Sequence, residues 1–574
     1  MAGPDTWRAR CARHLEADVS LGETRARMML LAGLGVVLGG VGGGAAFVVV
    51  RLVGLLSNLA LLHRVGWQLP DLSHYHPGPA LFAVAVGGAV VVVLLARAAP
   101  VIKGHGIPES LEAITLRRSR IPPRAALAKP LSAAIAMGTG GPFGAEGPII
   151  VTGGSIGSLL GQLLPVSAAE RRILLATGAA AGMAGVFGTP IAAILLAFEL
   201  LVMERSLRSL LPLAFATSLA TALHMALLGG TPLFALHHAV TVPVHDLWCF
   251  AVLGLAAGLL AAALDRGLFA VEAGFARLPV PEALHPIVGA VGFAAVGLAV
   301  PGSLSVGYWA ITDAVNGRFA LHVALVLFVA KLCSWWIALA SNTSGGTLAP
   351  MFLVGATMGE AVGIGFTHLL PGSHLQPAAF ALVAMGATFG VAARAPLTGA
   401  VFALEVTGGF GLVVPMLLCL AVAETVAEQL LTERVMTDKL FRRGYRVELD
   451  LQVDPLRTAV CGQLAQQLAP GSALPPSAPP VDRYAFADAA LQALDAAAAD
   501  LAVVTDGDVT IGVVTRPRLS SLARHHLDDR VVEPATLSLR RRPPRQARPR
   551  RPPAAGDPLA ADRSSTGVAP GADR

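Results

Sequence analysis

The sequence predicts an all-α polytopic membrane protein made of two duplicated halves, followed by a small α/β segment. Composition, a succession of long apolar runs and an internal repeat carry that prediction. Of 574 residues, 54% are hydrophobic and only 14% charged, with a mean hydropathy of +0.65. A soluble domain carries about 25% charged residues, so an ordinary soluble fold is excluded. The 62 glycines lie largely in apolar stretches, where small residues let membrane helices approach closely.

A spanning helix needs about 20 apolar residues. Uncharged runs of that order fall at 28–50, 78–96, 149–169, 173–198, 209–244, 247–264, 286–312, 332–359, 361–393 and 406–423. Several exceed one span and are broken by Gly and Pro. They predict ten or more helical elements, some short or re-entrant. The segment 1–28 is polar and holds Arg8, Arg10, Arg13, Arg25 and Arg27, so it is expected to be a cytoplasmic segment and not a cleavable signal peptide. Arg117, Arg118, Arg120 and Arg124 form one basic loop, and Arg434, Lys439, Arg442, Arg443 and Arg446 another. By the positive-inside rule these place both termini in the cytoplasm. Arginine-rich, lysine-poor usage, with 39 arginines and four lysines, suits a bacterial inner membrane.

The repeat is the most informative feature. Pro148, Gly153, Gly157 and Gly161 share their spacing with Pro350, Gly355, Gly359 and Gly363, 202 residues later. The segment PIAAILLAFE (Pro190 to Glu199) aligns without gaps with PLTGAVFALE (Pro396 to Glu405), 206 residues later. Two pairs in the same order at nearly equal offset imply a duplicated membrane half, about 29–240 and 245–440. Duplicated halves are typical of transporters, whose sites lie where broken helices point their N-termini at an anion. Here Gly-rich segments lead into prolines in both copies. Free N–H groups and positive dipole ends would then form an anion site built largely from backbone.

Beyond the membrane domain at 29–440 the character changes. Residues 441–480 end in the Pro-rich linker PGSALPPSAPP. Within 481–535, the stretch 501–522 reads as strand, Asp-Gly turn, strand and helix. Residues 536–574 are Arg- and Pro-rich, with seven arginines between Arg540 and Arg551, and are expected to be disordered. They account for much of the +6 net charge. A proline-broken arginine tract beside a membrane suits anionic lipid or no specific partner, and no nucleic acid is expected. The five cysteines show no paired spacing, so neither a disulfide framework nor a metal site is expected.

Three segments, in order, resemble signatures of the CLC chloride channel and chloride/proton antiporter family. They are GHGIPE (Gly104 to Glu109), GAEGP (Gly144 to Pro148) and GGTLAP (Gly345 to Pro350), with Lys129 seventeen residues before Glu146. The resemblance covers roughly residues 30–440. It implies an inverted repeat of broken and tilted helices and a homodimer with one pathway per subunit for chloride or a similar monovalent anion, with protons as the second cargo. Glu146 matches the gating glutamate, whose carboxylate competes with the anion and carries a proton when displaced. A carboxylate among helix N-termini mimics the permeant anion when ionised and vacates the site when protonated. The alternative is a glutamate that merely caps its helix. Gly106, Ile107, Gly147, Thr347 and Leu348 match positions that offer backbone N–H groups, and Lys129 matches a lysine that raises the pore's positive potential.

The sequence departs from the family pattern at several of these positions. The serine that donates to the central anion is His105 here; either its imidazole is a ligand or it points away and backbone amides bind. The motif phenylalanine is Leu348, and the tyrosine that closes the central site aligns with Met436. Glu199 matches the first of two consecutive glutamates, but the second, an internal proton relay, is Leu200. Either Glu199 or Glu204 substitutes, or water carries the proton, or coupling is weak or absent. Glu199 as a buried structural carboxylate is an equal alternative, which leaves passive, voltage-gated conduction as the rival to exchange. Lys331, Arg394, Glu405, Glu424 and Glu428 read equally as helix-end or snorkelling residues.

The segment around 484–523 resembles the second half of a CBS pair, with a truncated first half near Asp454. A regulatory or packing module is expected rather than a nucleotide site, and no cofactor is implied. An intramembrane enzyme is disfavoured, because Ser155, Ser334 and Ser344 have no accompanying His/Asp set and His224, His322 and His368 stand isolated.

Overall fold

The computed structural model describes residues 25–99, 102, 106–117, 119–202, 206–230, 232–431, 456, 461–466, 475, 478–483, 485, 487–506 and 509–521. In the membrane part sixteen α-helices follow one another among these residues. The first half holds α1 (Arg25–Leu62), α2 (Ala80–Ala98), α3 (Ile107–Leu116), α4 (Ala125–Gly138), α5 (Glu146–Leu163), α6 (Ala168–Phe187), α7 (Pro190–Leu196) and α8 (Leu207–Leu227). The second holds α9 (Leu247–Phe275), α10 (His285–Ala299), α11 (Tyr308–Val315), α12 (Leu321–Ala340), α13 (Leu348–Leu369), α14 (Pro377–Ala393), α15 (Pro396–Thr407) and α16 (Val413–Leu430). Eight of the described helices are long and apolar enough to cross a membrane. Their outer faces leave large apolar side chains exposed, among them Leu255, Leu259, Val326, Val329, Val414 and Leu417, as a lipid-facing surface requires.

The long apolar runs are divided where the chain chemistry demands it. Run 173–198 ends a helix at Gly188 in the left-handed region (φ 68°) and restarts at Pro190, the first residue of α7. Run 361–393 closes at Arg394, also left-handed (φ 59°), before Pro396 opens α15. Proline at a helix's first position gives up an N–H that has no intrahelical partner anyway. At the start of α6, Ser167 and Glu170 form a reciprocal capping box. Glu170 also accepts from Arg27 of α1 and from Arg208 of α8, both at 2.7 Å, so one carboxylate ties three helix starts together.

The repeated glycines are helix-packing surfaces. A Cβ on Gly153 would strike the Gly178 carbonyl of α6, and one on Gly359 the Phe380 carbonyl of α14. In both halves the P-x4-G-x3-G-x3-G helix therefore lies directly against the next one, α5 on α6 and α13 on α14.

The C-terminal module is a three-stranded sheet in the order β1 (Pro480–Asp482), β2 (Leu501–Asp506), β3 (Val509–Thr515). Strands β1 and β2 are parallel and β2 and β3 antiparallel. Helix α18 (Ala487–Ala496) makes the crossover, after a short α17 (Cys461–Leu464). Of the strand, turn, strand and helix read over 501–522, the two strands are present and a helix covers 516–521, while residues 507 and 508 of the turn lie outside the described residues. The core also reaches back across the Pro-rich linker: Gln466 pairs with Val513, and Cys461 is fully buried with Val481, Leu494 and Val504.

Candidate functional site

The three motif segments, far apart in sequence, meet in the structure. Gly144 N–H donates to the Gly346 carbonyl at 3.0 Å, and Gly346 N–H returns the bond to Gly144 at 2.9 Å. This pair is antiparallel and joins residues 202 apart, so the first turns of α5 and α13 are held together by an exchange between equivalent residues of the two halves. Gly106, ahead of α3, lies against Gly147. Its φ of +110° suits glycine, and a Cβ there would come within 2.4 Å of Gly147 Cα. The N-termini of α3, α5 and α13 thus converge, and α11 begins beside them at Tyr308.

Glu146, first residue of α5, is fully buried. Its Oε1 accepts from the Tyr308 hydroxyl at 3.0 Å, whereas among the described residues no donor completes a bond to Oε2. The amides of Glu146 and Ala349, in the first turns of α5 and α13, and the Lys331 ammonium act on the same carboxylate. Positive helix ends and a buried ammonium make this pocket favourable for negative charge. A carboxylate at this position is the occupant of a pocket that favours an anion.

Both buried lysines are pinned to backbone. Lys129 Nζ donates to the Ile102 carbonyl at 2.7 Å; Lys331 Nζ donates to Ser303 at 3.1 Å and Ser305 at 2.8 Å. Each therefore ties down the loop ahead of a short helix that enters the site, α3 in one half and α11 in the other. Lys331 is fully buried, which corrects its reading as a helix-end or snorkelling residue.

The other expected residues fall as follows. Gly147, Thr347 and Leu348 are buried at the starts of α5 and α13, and Ile107 is buried at the start of α3. The Gly106 amide donates to the Glu109 carboxylate, which occupies that N–H. His105, Met436 and Glu204 lie outside the described residues. Leu200 is fully buried in a π-helical turn, Ala197–Val202, that continues α7. Glu199, in the same turn, accepts from the Leu397 amide (3.0 Å), the Thr398 amide (2.8 Å) and the Thr398 hydroxyl (2.6 Å). Glu405 does the same for the other half, accepting from Ile191 at 3.0 Å and Ala192 at 2.8 Å. Among the described residues no group of three or more His, Cys, Asp or Glu is arranged to hold a metal.

Two site residues were missed by motif reasoning, Tyr308 and Lys331. The signal for Lys331 was present, since it stands 202 residues after Lys129, the offset of the glycine repeat. Tyr308 had no such mark, because its partner in the first half is a residue without a hydroxyl.

Comparison with known proteins places the chain in a family. A family model described as "Voltage gated chloride channel" matches residues 87–428. The H+/Cl− exchange transporter ClcA of Cronobacter sakazakii is 30% identical over 422 residues, covering 71% of this chain and 88% of the relative. The transporter of the same name from Vibrio campbellii is 29% identical, covering 63% and 80%. Among solved structures, a slow cyanobacterial Cl−/H+ antiporter superposes with a TM-score of 0.63 at 28% identity, covering 73% of this chain and 98% of the other. A CLC-type fluoride/proton antiporter shares the fold at 19% identity, with a TM-score of 0.58 over 71% and 98% of the two chains. With its motifs meeting at one buried carboxylate and residues 87–428 matched by the family model, this multi-pass membrane protein belongs to the CLC, or voltage-gated chloride channel, family.

Proposed function

We propose that this protein moves chloride across the membrane along a pathway gated by Glu146, in exchange for protons. The observation that carries this reading is the seat of Glu146: a fully buried carboxylate at the meeting point of helix N-termini, with one oxygen held by the Tyr308 hydroxyl. An ionised carboxylate fills this anion-favouring pocket. A protonated one has lost the charge that holds it there and yields the place to chloride. Coupling follows because the same side chain carries the proton and excludes the anion. The relatives named as H+/Cl− exchangers support this reading. The amides of Ile107, Gly147, Thr347 and Leu348 line the pathway in it, and Lys129 adds positive potential.

The same reading makes the protein a homodimer in the bacterial inner membrane with both termini cytoplasmic; the arginine-rich loops support the orientation. It acts as a transporter and not as an enzyme, and its C-terminal module serves packing or regulation without a bound nucleotide.

The test uses purified protein in liposomes under a chloride gradient, with chloride efflux and external pH recorded together. Chloride-driven uphill proton movement is expected. Glu146→Ala is expected to abolish proton movement while chloride still flows; unchanged flux and coupling would remove Glu146 from the gate. A second reading, passive conduction, is favoured by one feature. Leu200 cannot carry a proton, and Glu199 beside it is tied by three hydrogen bonds to the start of α15. Chloride flux without proton movement would establish it.

A further inference from the structure

We infer that the Tyr308 hydroxyl is both the latch that holds Glu146 in its seat and a ligand of the anion that replaces it. The inference rests on the gating reading of Glu146 and adds a residue to that site from the other half of the repeat.

Tyr308 is positioned before any anion arrives. Gly307, in the left-handed region (φ 77°), turns the chain into α11 so that Tyr308 is its first residue. The two carbonyls held by Lys331, Ser303 and Ser305, belong to the loop just ahead. The ring packs edge-on to Phe234, with centroids 5.4 Å apart, and against Phe187 at 6.2 Å. A ring fixed on two sides and a backbone fixed in front leave the hydroxyl aimed at Glu146 Oε1, 3.0 Å away. Such preorganisation costs little when the partner changes.

The chemistry of the donor suits both occupants. A phenol O–H donates to a carboxylate oxygen or to a halide alike, and bonds to charged acceptors are roughly twice as strong as neutral ones. While Glu146 is ionised, the hydroxyl holds it. Once Glu146 is neutral, Oε1 becomes a weaker acceptor and the hydroxyl is released to the incoming anion. Among the described residues no donor completes a bond to Oε2, and Tyr308 supplies a side-chain hydrogen bond that the seated carboxylate must break to leave.

The experiment compares Glu146→Ala with Glu146→Ala/Tyr308→Phe, binding chloride in detergent by calorimetry. Phenylalanine keeps the ring contacts with Phe187 and Phe234, so the comparison isolates one hydroxyl. About tenfold weaker chloride binding in the double variant is expected, the scale of one hydrogen bond to a charged group. Affinities equal within twofold would overturn the ligand role. In protein that keeps Glu146, Tyr308→Phe is expected to raise chloride turnover severalfold in liposomes, and an unchanged turnover would overturn the latch role. If Glu146→Ala alone alters neither chloride nor proton movement, the gating reading falls and this inference with it. If it uncouples the two while Tyr308→Phe changes nothing, only the inference falls.

Discussion

Glu199 and Glu405 each cap the other's half of the protein. Glu199, at the end of the helix that starts at Pro190, accepts from the amides of Leu397 and Thr398. Glu405, near the end of the helix that starts at Pro396, accepts from those of Ile191 and Ala192. Two helix starts, whose first-turn amides have no intrahelical partner, are satisfied by two carboxylates 206 residues apart in the chain. The exchange locks the duplicated halves to each other.

Glu405→Ala should therefore destabilise the membrane domain by about 2–3 kcal/mol, since it orphans two amides bonded to a charged acceptor. Thermal unfolding in detergent measures this. Glu199→Gln keeps one acceptor oxygen and should cost less, about 1 kcal/mol. If Glu199 is a cap alone, the ratio of proton to chloride movement is unchanged by this substitution; a lost ratio would identify it as a proton carrier.

Gly346→Ala places a Cβ 2.5 Å from the Gly144 carbonyl and 2.7 Å from the Gly147 amide. Neither backbone atom can yield without breaking the Gly144–Gly346 exchange. We expect a loss of about 1–3 kcal/mol from overpacking and a fall in chloride turnover, read by unfolding and by liposome efflux. Wild-type turnover would show that the paired helix starts tolerate separation.

Lys331→Met retains most of the side chain's volume but leaves the Ser303 and Ser305 carbonyls without their donor. Each lost bond to a charged donor is worth about 1.5–3 kcal/mol, so a clear drop in unfolding temperature is expected. Chloride affinity should fall as well, because the ammonium acts directly on the pocket that holds Glu146. An unchanged affinity would confine Lys331 to shaping the loop.

Glu170→Ala removes the acceptor shared by Arg27, Arg208 and the start of α6. Its loss leaves two guanidinium groups facing each other across a mostly buried position. A destabilisation of about 2–4 kcal/mol is expected, with the chloride-to-proton ratio of surviving protein unaltered.

Cys461, in the C-terminal module, titrates above the ordinary thiol range, because burial opposes the thiolate and the Asp488 and Asp482 carboxylates add to the effect. The folded state thus holds this proton more tightly than the unfolded one. Its contribution to stability is complete below the unfolded thiol's pKa of about 8.5 and is lost as pH rises through the higher folded value. In the full-length protein, a maleimide should label Cys461 far more slowly in native buffer than in denaturant at pH 8. Equal rates would show the module open.

The sequence by itself determined the class, the duplication and the motif residues, because those are written in local composition and in spacing. A charge content of 14% excludes a soluble core, and breaks at Gly188 and Arg394 follow from the prolines that come next. Glu146 was legible because its glycine-flanked motif is a short contiguous string. What the sequence left open was every relationship between the halves. Nothing in the chain's spacing showed that Glu199 is bonded to Leu397 and Thr398. Lys331 read as a surface-seeking side chain until it proved to be buried on Ser303 and Ser305. Tyr308 carried no signature at all. Only the tertiary structure decided these, since a hydrogen bond between residues 162 or 199 positions apart depends on the fold that brings two helix starts together and leaves no periodicity in the chain.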